Sequence, residues 1–582
     1  MARLDYFAPG VYVEEVNRGS RPIQGVSLSV AGFVGFTEDV RGDAELFEPT
    51  LVTTWTQYLE NFAKPGSDGF TDFGAYLPFA IKGWFENGGG RCWVVSVGTQ
   101  LPMPDPAPGD STTAVLEEST PVPTLVLTAS KKPSLEFRLK TRDGTEGADI
   151  SSDEPLDNKR ISVVVQPDEP KATQDPDAFD SGEYFKITVT QGDNTLDTYR
   201  HLTMKPSTSE ETDSQQGDYV LTALEDSDYI EVEIKAEPGL PLAQRPRNGR
   251  YEVAPPKKQY AVKRWYPKMY GNNKDRSGIK GLFEVDDVAM VACPDLMLAY
   301  EQGLLSLEQV HGVMEMMITG CENSAPSPAY RMAVIDPPPV KPRRGETPVS
   351  PDQQKPQDVE AWLMEGFSRR SQFAALYYPW LKVADPRNAG QGKLVPPCGH
   401  MMGIWCRTDE TRGIHKAPAN EVPRGVLDLA YDTNFREQEL LNPKGINCIR
   451  KFRDRGLQVW GARTLVEPAD VNWRYISVRR LMSYISKSIE MGTQWAVFEP
   501  NDEDLWARVT RTVKNFLERL WRSGALFGSS PEQAFYVKCD AELNTPETMK
   551  LGILYVEVGI APVRPAEFVV FRISQWDPSQ DQ

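Results

Sequence analysis

The sequence predicts a multi-domain protein of mixed α/β (α+β) class, with a C-terminal α/β domain and an inserted all-β surface domain. Its 582 residues correspond to about three or four domains of ordinary size. Strand-like and helix-like segments alternate on both sides of a central stretch, which indicates a mixed core. That stretch, residues 101–240, carries 29 acidic and 12 basic residues and none of the 13 tryptophans or seven cysteines. Its composition marks it as a separate unit.

The N-terminal region predicts an extended arm followed by the first part of the core. Residues 1–25 form the arm, because their few apolar side chains have little of their own to pack against. These side chains are Val11, Tyr12, Val13 and Val16. Residues 26–100 predict a strand over 26–36, helices over 53–62 and 76–85, and a strand over 92–97.

Residues 101–255 predict the inserted domain. Short apolar runs alternate here with acidic turns, which is typical of a small β-sandwich or barrel. The predicted strands are 124–127, 135–139, 161–165, 184–189, 219–221 and 229–234. The acidic residues predict a solvated outer face.

The chain then returns to the parent body. Residues 256–357 predict the resumed core, with strands over 288–293 and 331–335 and a helix over 307–319. Residues 358–563 predict the C-terminal domain. Its elements are helices over 359–372, 472–489 and 502–523, the last capped by Asn501, and strands over 373–378, 534–539 and 551–561.

Residues 564–582 predict a C-terminal arm with a strand over 567–575. Its apolar side chains occupy both alternating faces, so the strand requires neighbours on both sides. They are Phe568, Val569, Val570, Phe571 and Ile573.

The sequence predicts no enzyme, no cofactor and no metal site. It contains neither a GxxxxGK[ST] phosphate loop nor a GxSxG turn, and only four histidines. Cys398, His400, Cys406 and His415 have a spacing unlike the usual zinc patterns, so we interpret them as part of a glycine- and proline-rich loop. A hydrolase that uses this loop remains the enzymatic alternative.

Composition also predicts the compartment in which the protein resides and the kinds of partner that it does not bind. Seven scattered cysteines predict a reduced, intracellular chain, and no apolar run reaches the ~18 residues of a membrane helix. No signal peptide is expected at the N-terminus. The net charge of −18 argues against nucleic-acid binding. Basic residues within 444–455 and 502–523 are either a solvated face or a contact for an acidic partner.

An ordered set of motifs resembles the tail sheath proteins of contractile phages and phage-like contractile injection systems. The set covers most of residues 1–100 and 280–576 and leaves 101–255 unmatched. Its members are Phe7-Ala-Pro-Gly-Val-Tyr-Val-Glu-Glu15, Phe85-Glu-Asn-Gly-Gly89, Asn442-Pro-Lys-Gly-Ile-Asn447, Val459-Trp-Gly-Ala-Arg-Thr464, Trp473-Arg-Tyr-Ile-Ser-Val-Arg-Arg480, Phe498-Glu-Pro-Asn501 and Gly524-Ala-Leu-Phe-Gly528.

The resemblance implies a sheath-type core and a metastable helical polymer of stacked rings around an inner tube protein. Contraction of the polymer would drive the tube through a target envelope. The two arms, with the apolar residues named above, would each add a strand to a neighbouring subunit. The inner tube would contact the C-terminal domain through basic side chains. The candidates are Lys444, Arg450, Arg453, Arg508, Arg511 and Lys514.

Further partners implied by the resemblance are baseplate and terminator or cap proteins at the ends of the polymer, with no nucleic acid and no membrane insertion. Assembly in the bacterial cytoplasm, within a phage tail or a phage-like injection particle, is implied as well. The alternative function is a ring-forming baseplate or cap scaffold of the same kind of machine.

Overall fold

The computed structural model describes residues 22–102, 124–126, 134–139, 161–168, 184–191, 194–203, 218–224, 230–235, 249–253, 262–322 and 330–571. The predicted strand donors Val11, Tyr12, Val13, Val16 and Ile573 lie outside these residues. The first region contains β1 (Val30–Gly35), β2 (Thr50–Val52), α1 (Trp55–Phe62), α2 (Leu77–Glu86) and β3 (Arg91–Ser96). Thr54 caps α1 by accepting the Gln57 amide at 3.1 Å.

The described residues of the central region form eight strands and one short helix. They are β4 (Thr124–Val126), β5 (Ser134–Leu139), β6 (Ile161–Pro167), β7 (Phe185–Gln191), β8 (Asn194–Thr203), β9 (Asp218–Tyr219), α3 (Val220–Ala223), β10 (Ile230–Lys235) and β11 (Gly249–Val253). Among the described residues these strands pair only with one another, in sheets of three and five strands. The prediction of an all-β insert is not confirmed, because the segment predicted as a strand over 219–221 becomes α3.

The chain returns to the body through four helices and two strands. They are α4 (Val262–Tyr270), α5 (Gly278–Phe283), β12 (Met290–Ala292), α6 (Asp295–Glu301), α7 (Leu307–Glu322) and β13 (Met332–Ile335). The next elements are α8 (Pro356–Ala361), β14 (Ala374–Tyr378), β15 (Leu381–Ala384), β16 (Gly392–Val395), α9 (Cys398–Arg412), β17 (Val426–Leu429), α10 (Phe435–Leu441), β18 (Ile446–Phe452) and β19 (Gly456–Val459).

Two sequence predictions in this region are wrong. The helix predicted over 359–372 is shorter: α8 continues as one π-helical turn, Trp362–Gly366, and ends there. The loop predicted around Cys398 is the helix α9. Ten of its fifteen residues are buried, so it lacks the one-sided apolar pattern by which a surface helix is recognised.

The last region contains α11 (Ile476–Thr493), α12 (Glu503–Arg522), α13 (Pro531–Ala534), β20 (Phe535–Lys538), α14 (Pro546–Lys550) and β21 (Glu557–Ile560). Asp502, rather than Asn501, caps α12 by accepting the Leu505 amide at 2.8 Å. Residues 551–556 are not a strand, and β21 pairs antiparallel with β20 in a two-stranded sheet.

An eight-stranded sheet in the order β2-β3-β1-β12-β13-β14-β18-β19 forms the centre of the main body. The six inner strands are parallel, and an antiparallel strand closes each edge. Such a sheet is buried on both faces, which explains its continuous apolar strands. The predicted boundary between residues 357 and 358 falls between β13 and β14, which are neighbours in this one sheet.

Asp295 joins the parts of the body that precede and follow the insert. Its carboxylate lies beyond the ends of β1 and β12 and accepts the backbone amides of Phe36 at 2.7 Å, Tyr76 at 2.5 Å and Leu77 at 3.3 Å. Gly35 leaves room for it, since a β-carbon there would lie 2.3 Å from Asp295 Oδ2. The carboxylate therefore occupies the crevice between β1 and β12 where the strand order reverses.

A second apolar cluster lies around α11, α12, β20 and β21. Leu481, Val513 and Leu517 are buried in it, together with Ile23 from the N-terminal segment. The buried ion pair between Arg480 and Asp409, 2.6 Å between Nη2 and Oδ2, connects this cluster to the main body. Arg480 also donates to the Leu28 carbonyl, so three distant segments meet at one guanidinium.

Candidate interaction surfaces

The C-terminal segment leaves the body from a fixed point at Glu567. Its carboxylate pairs with Arg463, with 2.6 Å between Oε2 and Nη2, and accepts hydrogen bonds from Asn442 at 2.7 Å and Tyr475 at 2.9 Å. Burial raises the pKa of Glu567, but the hydrogen bonds from Arg463 and Asn442 outweigh it, so the pKa lies below its usual value. The carboxylate is therefore an ionised anchor.

Beyond this anchor the chain exposes an apolar segment, which we call the C-terminal run (residues 568–571). Phe568, Val569, Val570 and Phe571 are each at least 70% exposed. They form no strand within the chain, in contrast to the strand predicted over 567–575. Four consecutive exposed apolar residues are unfavourable in water unless a partner covers them.

The N-terminal segment is also held against the C-terminal helices. Ile23 is buried against Gly492 of α11, where a β-carbon would lie 2.6 Å from Ile23 Cγ1. Arg519 of α12 donates to the Ile23 carbonyl at 2.6 Å, and the Val26 amide donates to Ser488 of α11 at 3.2 Å. The N-terminal segment is thus fixed near the C-terminal end of α11, whereas the Glu567 anchor lies beside Tyr475 at its N-terminal end.

The sheet formed by β20 and β21 has two strands, and residues 525–527 lie alongside the continuation of β21, with Leu526 opposite Pro562. The strands pair from Phe535 opposite Ile560 to Lys538 opposite Glu557, and among the described residues no third strand joins them. A two-stranded sheet is marginally stable by itself and gains backbone hydrogen bonds from an added strand.

The structure separates the six predicted tube-contact residues into two groups. Lys444 pairs with Glu360, Arg450 donates to the Thr433 carbonyl and Gln438, and Arg508 pairs with Glu499 at 2.9 Å. These three are engaged within the chain. The remaining three are exposed, and no acidic side chain of the described residues lies within ion-pair distance of them. They are Arg453, Arg511 and Lys514.

Arg511 and Lys514 line a groove of about 690 Å³ between α12 and residues 539–541. Trp506 supplies an apolar wall, whereas Glu503, Glu518 and Asp540 bring acidic groups to the same groove. The surface is therefore mixed in charge rather than uniformly basic.

The cysteine and histidine set at 398–415 does not converge on a metal. Cys398, His400 and Cys406 are buried along α9, and His415 follows the end of that helix. Burial lowers the pKa of His400 to about 4 and raises that of Cys406 to about 12, which leaves both side chains neutral. Across the described ranges, no group of three or more His, Cys, Asp or Glu residues could hold a metal ion.

No helix in the described part of the chain is both long and apolar enough to cross a membrane. Sequence reasoning missed two features of these surfaces. One is the Glu567 anchor, whose partner Arg463 lies 104 positions away in sequence. The other is Phe498, which only the structure reveals as fully exposed.

Two consecutive parts of the chain match models of known protein families. Residues 364–465 match the phage tail sheath protein central domain, and residues 469–575 match the phage tail sheath C-terminal domain. A prophage major tail sheath protein of Pseudomonas aeruginosa (strain UCBPP-PA14) is 27% identical over 205 residues, or 34% of this chain. The chain spans about half the length of that relative, since the match covers 50% of it.

Solved structures match over almost the whole chain. The sheath complex of an extracellular contractile injection system, PVC, in its contracted state has a TM-score of 0.52 at 20% identity, covering 99% of this chain and 100% of that one. The anti-feeding prophage baseplate gives a TM-score of 0.50 at 22% identity, with 98% and 100% covered. These likenesses concern the fold, which is of the sheath type. Residues 364–575 therefore carry the sequence match to the central and C-terminal domains of phage tail sheath proteins.

Proposed function

We propose that this chain is a structural, non-enzymatic subunit of the helical contractile sheath that surrounds an inner tube. The observation that carries the proposal is the C-terminal run, which leaves the fixed Glu567 anchor and exposes four consecutive apolar residues. Strand addition between subunits would satisfy both the C-terminal run and the two-stranded sheet of β20 and β21. The run would pair with a sheet of a neighbouring subunit, and that sheet would gain a further strand. The N-terminal arm, with Val11 to Val16, would likewise add a strand to a sheet of a neighbouring subunit.

Such an assembly explains how the sheath contracts while its subunits stay linked to one another. The extended polymer is a kinetically held state, and contraction lets subunits rotate and repack while the exchanged strands keep them linked. A head-to-tail contact propagates as a helix instead of a closed dimer. The work of many identical subunits drives the tube through a target envelope. Assembly takes place in the bacterial cytoplasm, and the particle is a phage tail or a phage-like injection system.

Truncation after Glu567 tests the role of the C-terminal run. Co-expressed with the inner tube protein, the full chain is expected to form hollow helical tubes in negative-stain electron microscopy. The truncated chain should keep its melting temperature within a few degrees and form no tubes, because the run contributes nothing to the monomer core. A control that lacks only residues 577–582 should still assemble. Tubes formed by the truncated chain would contradict the proposal.

The proposed tube contact consists of Arg453, Arg511 and Lys514, the three candidates that form no ion pair with another described residue. Reversal of Arg511 and Lys514 to glutamate should reduce co-purification of the tube protein at low salt, because an acidic partner would then be repelled. Glu518→Lys in the same groove is the matched control and should not weaken it. Equal loss in both variants would argue for a general effect of charge on the groove.

We also propose a second candidate function, because the fold resembles that of a baseplate component as well. A ring-forming baseplate or cap scaffold would assemble into closed rings, and deletion of residues 1–20 would leave those rings unchanged. A sheath subunit lacking the same residues should remain folded but lose its tubes.

A further inference from the structure

A cavity of about 790 Å³ lies between the N-terminal segment and the C-terminal helices. Its walls come from residues 26–30, from the end of α9 with the residues that follow it, and from the end of α12. The apolar side chains of these walls include Val26, Leu28, Ile414, Tyr484, Leu520 and Ala525. The volume is within the range of pockets that bind ligands in proteins.

The charges around this cavity cancel. Asp409 pairs with Arg480 at 2.6 Å, and Arg91 pairs with Asp287 at 3.3 Å. The other charged side chains of the lining are one anion and one cation, Glu410 and Arg412. An apolar occupant without charged side chains is therefore favoured, because a buried charge would find no surplus of opposite charge here.

The wall formed by the N-terminal segment also carries backbone groups that the described chain leaves unused. Residues 24–29 belong to no helix or strand of the structure. The amides of Gln24, Gly25 and Ser27 donate to no atom of the described residues. Exposed backbone groups of this kind can pair with an extended segment that is added alongside them.

The chain that precedes the described residues starts beside the same cavity. Arg519, the neighbour of the wall residue Leu520, donates to the Ile23 carbonyl at 2.6 Å. Gly25 lies against the wall residue Tyr484, since a β-carbon at Gly25 would lie 1.8 Å from the Tyr484 hydroxyl. Three residues span at most about 11 Å, so the arm leaves Pro22 within that distance of the wall.

The sequence of the preceding part of the arm fits such a site. Residues 6–13, Tyr-Phe-Ala-Pro-Gly-Val-Tyr-Val, contain no charged side chain. They are followed by Asn17, Gly19 and Ser20, residue types that favour turns. The nine residues after Val13 can span up to about 30 Å, so residues 6–13 can return to any side of the cavity.

The attachment of the arm favours the cavity of its own chain over that of a second copy. A short flexible connection gives the attached segment an effective concentration in the millimolar range, far above that of free subunits. We propose that residues 6–13 occupy this cavity of their own chain in the free subunit and leave it on assembly. An arm held in this way is unavailable for strand addition, so the contact restrains assembly. The inference rests on the proposed role of the arm as a strand donor.

Photo-crosslinking of the free subunit tests the contact without any assembly. A benzophenone amino acid replaces Tyr12 in the full chain, and unlabelled chains are mixed with heavy-isotope chains in dilute solution without tube protein. Mass spectrometry should find crosslinks to residues 26–30, 412–415 or 520–525, in peptide pairs of a single isotope. The same amino acid in place of Phe435, which is 66% exposed, is the control and should give none of these crosslinks.

Three results of this measurement would overturn the inference. Peptide pairs of mixed isotope would show that a second copy supplies the arm. Crosslinks only to other parts of the body, or none above the Phe435 control, would show that the arm does not occupy the cavity. The same cavity crosslinks from a probe at Phe571 would assign the site to the C-terminal run instead.

Variants of the arm sharpen the test, because the arm lies outside the folded body. Val13→Asp should lower the yield of the crosslink from position 12 at least fivefold, since the apolar cavity disfavours a carboxylate. Arg18→Asp, in the connecting residues, is the matched control and should leave the yield unchanged. Equal yields in the two variants would contradict burial of residues 6–13.

Assembled tubes test the release of the arm. In tubes formed with the inner tube protein, the crosslink within one chain should fall at least tenfold, and crosslinks to another copy should replace it. A crosslink within one chain that persists in tubes would overturn the release. Tubes that form equally well without residues 1–20 would instead contradict the proposed function, whereas the crosslink in the free subunit does not depend on assembly.

Discussion

At the scale of single residues, buried carboxyl groups make the stability of this fold depend on pH. Burial raises the pKa of Asp295 to about 7, against the lowering effect of three backbone amides and Lys393, and raises that of Asp336 to about 7 as well. Both pKa values exceed that of an unfolded aspartate. The folded state therefore binds more protons than the unfolded state, so stability is full at low pH and declines as pH rises through about 7.

Asp295→Asn tests this linkage. The wild-type melting temperature should fall between pH 6 and pH 8, and the variant should show a smaller fall, because Asp336 and Glu301 still titrate but Asp295 does not. The variant should also be less stable at pH 6, by about 1–3 kcal/mol, since one amide acceptor is lost. Thermal unfolding followed by circular dichroism measures both effects. An unchanged pH dependence would show that Asp295 stays ionised in the folded protein.

At the scale of elements, the packing of α2 against α9 depends on glycine. A β-carbon at Gly399 would lie 2.3 Å from the Ala80 carbonyl oxygen, and one at Gly403 would lie 2.7 Å from that of Trp84. The two helices can approach this closely only where no side chain separates their backbones. The sequence predicted α2 but placed these glycines in a loop, so it did not show the helix that carries them.

Gly399→Ala should therefore destabilise the protein by about 1–3 kcal/mol, because the helices must move apart. Gly90→Ala is the matched control: no atom lies within 4 Å of a β-carbon there, and its φ is not positive. Chemical denaturation with tryptophan fluorescence would compare the two variants. Equal stabilities would mean that α9 shifts at little cost.

At the scale of the whole molecule, the insert is separable from the body that it interrupts. Trp265 at the start of α4 donates its indole hydrogen to the Val97 carbonyl at 2.9 Å and stacks on Phe36. The two ends of the insert therefore lie side by side, and the length of chain between them has little effect on stability.

Replacement of residues 103–259 by a short glycine–serine linker should leave the body folded. Its cooperative unfolding can be followed by tryptophan fluorescence, because all 13 tryptophans lie outside residues 101–240. The melting temperature should change by only a few degrees. A variant that aggregates or unfolds without cooperativity would show that the insert contributes to the core.

The sequence by itself determined many of the strands and helices, the compositional border of the insert and the family resemblance. Local periodicity and charge encode these features, so no distant partner is needed to recognise them. The tertiary structure alone decided that one parallel sheet runs across the predicted boundary at residue 358 and that the 398–412 segment is a buried helix. It also revealed the Glu567 anchor and the exposure of Phe498. Burial and ion pairing depend on residues that are far apart in the chain, and local sequence periodicity does not show which of these residues meet.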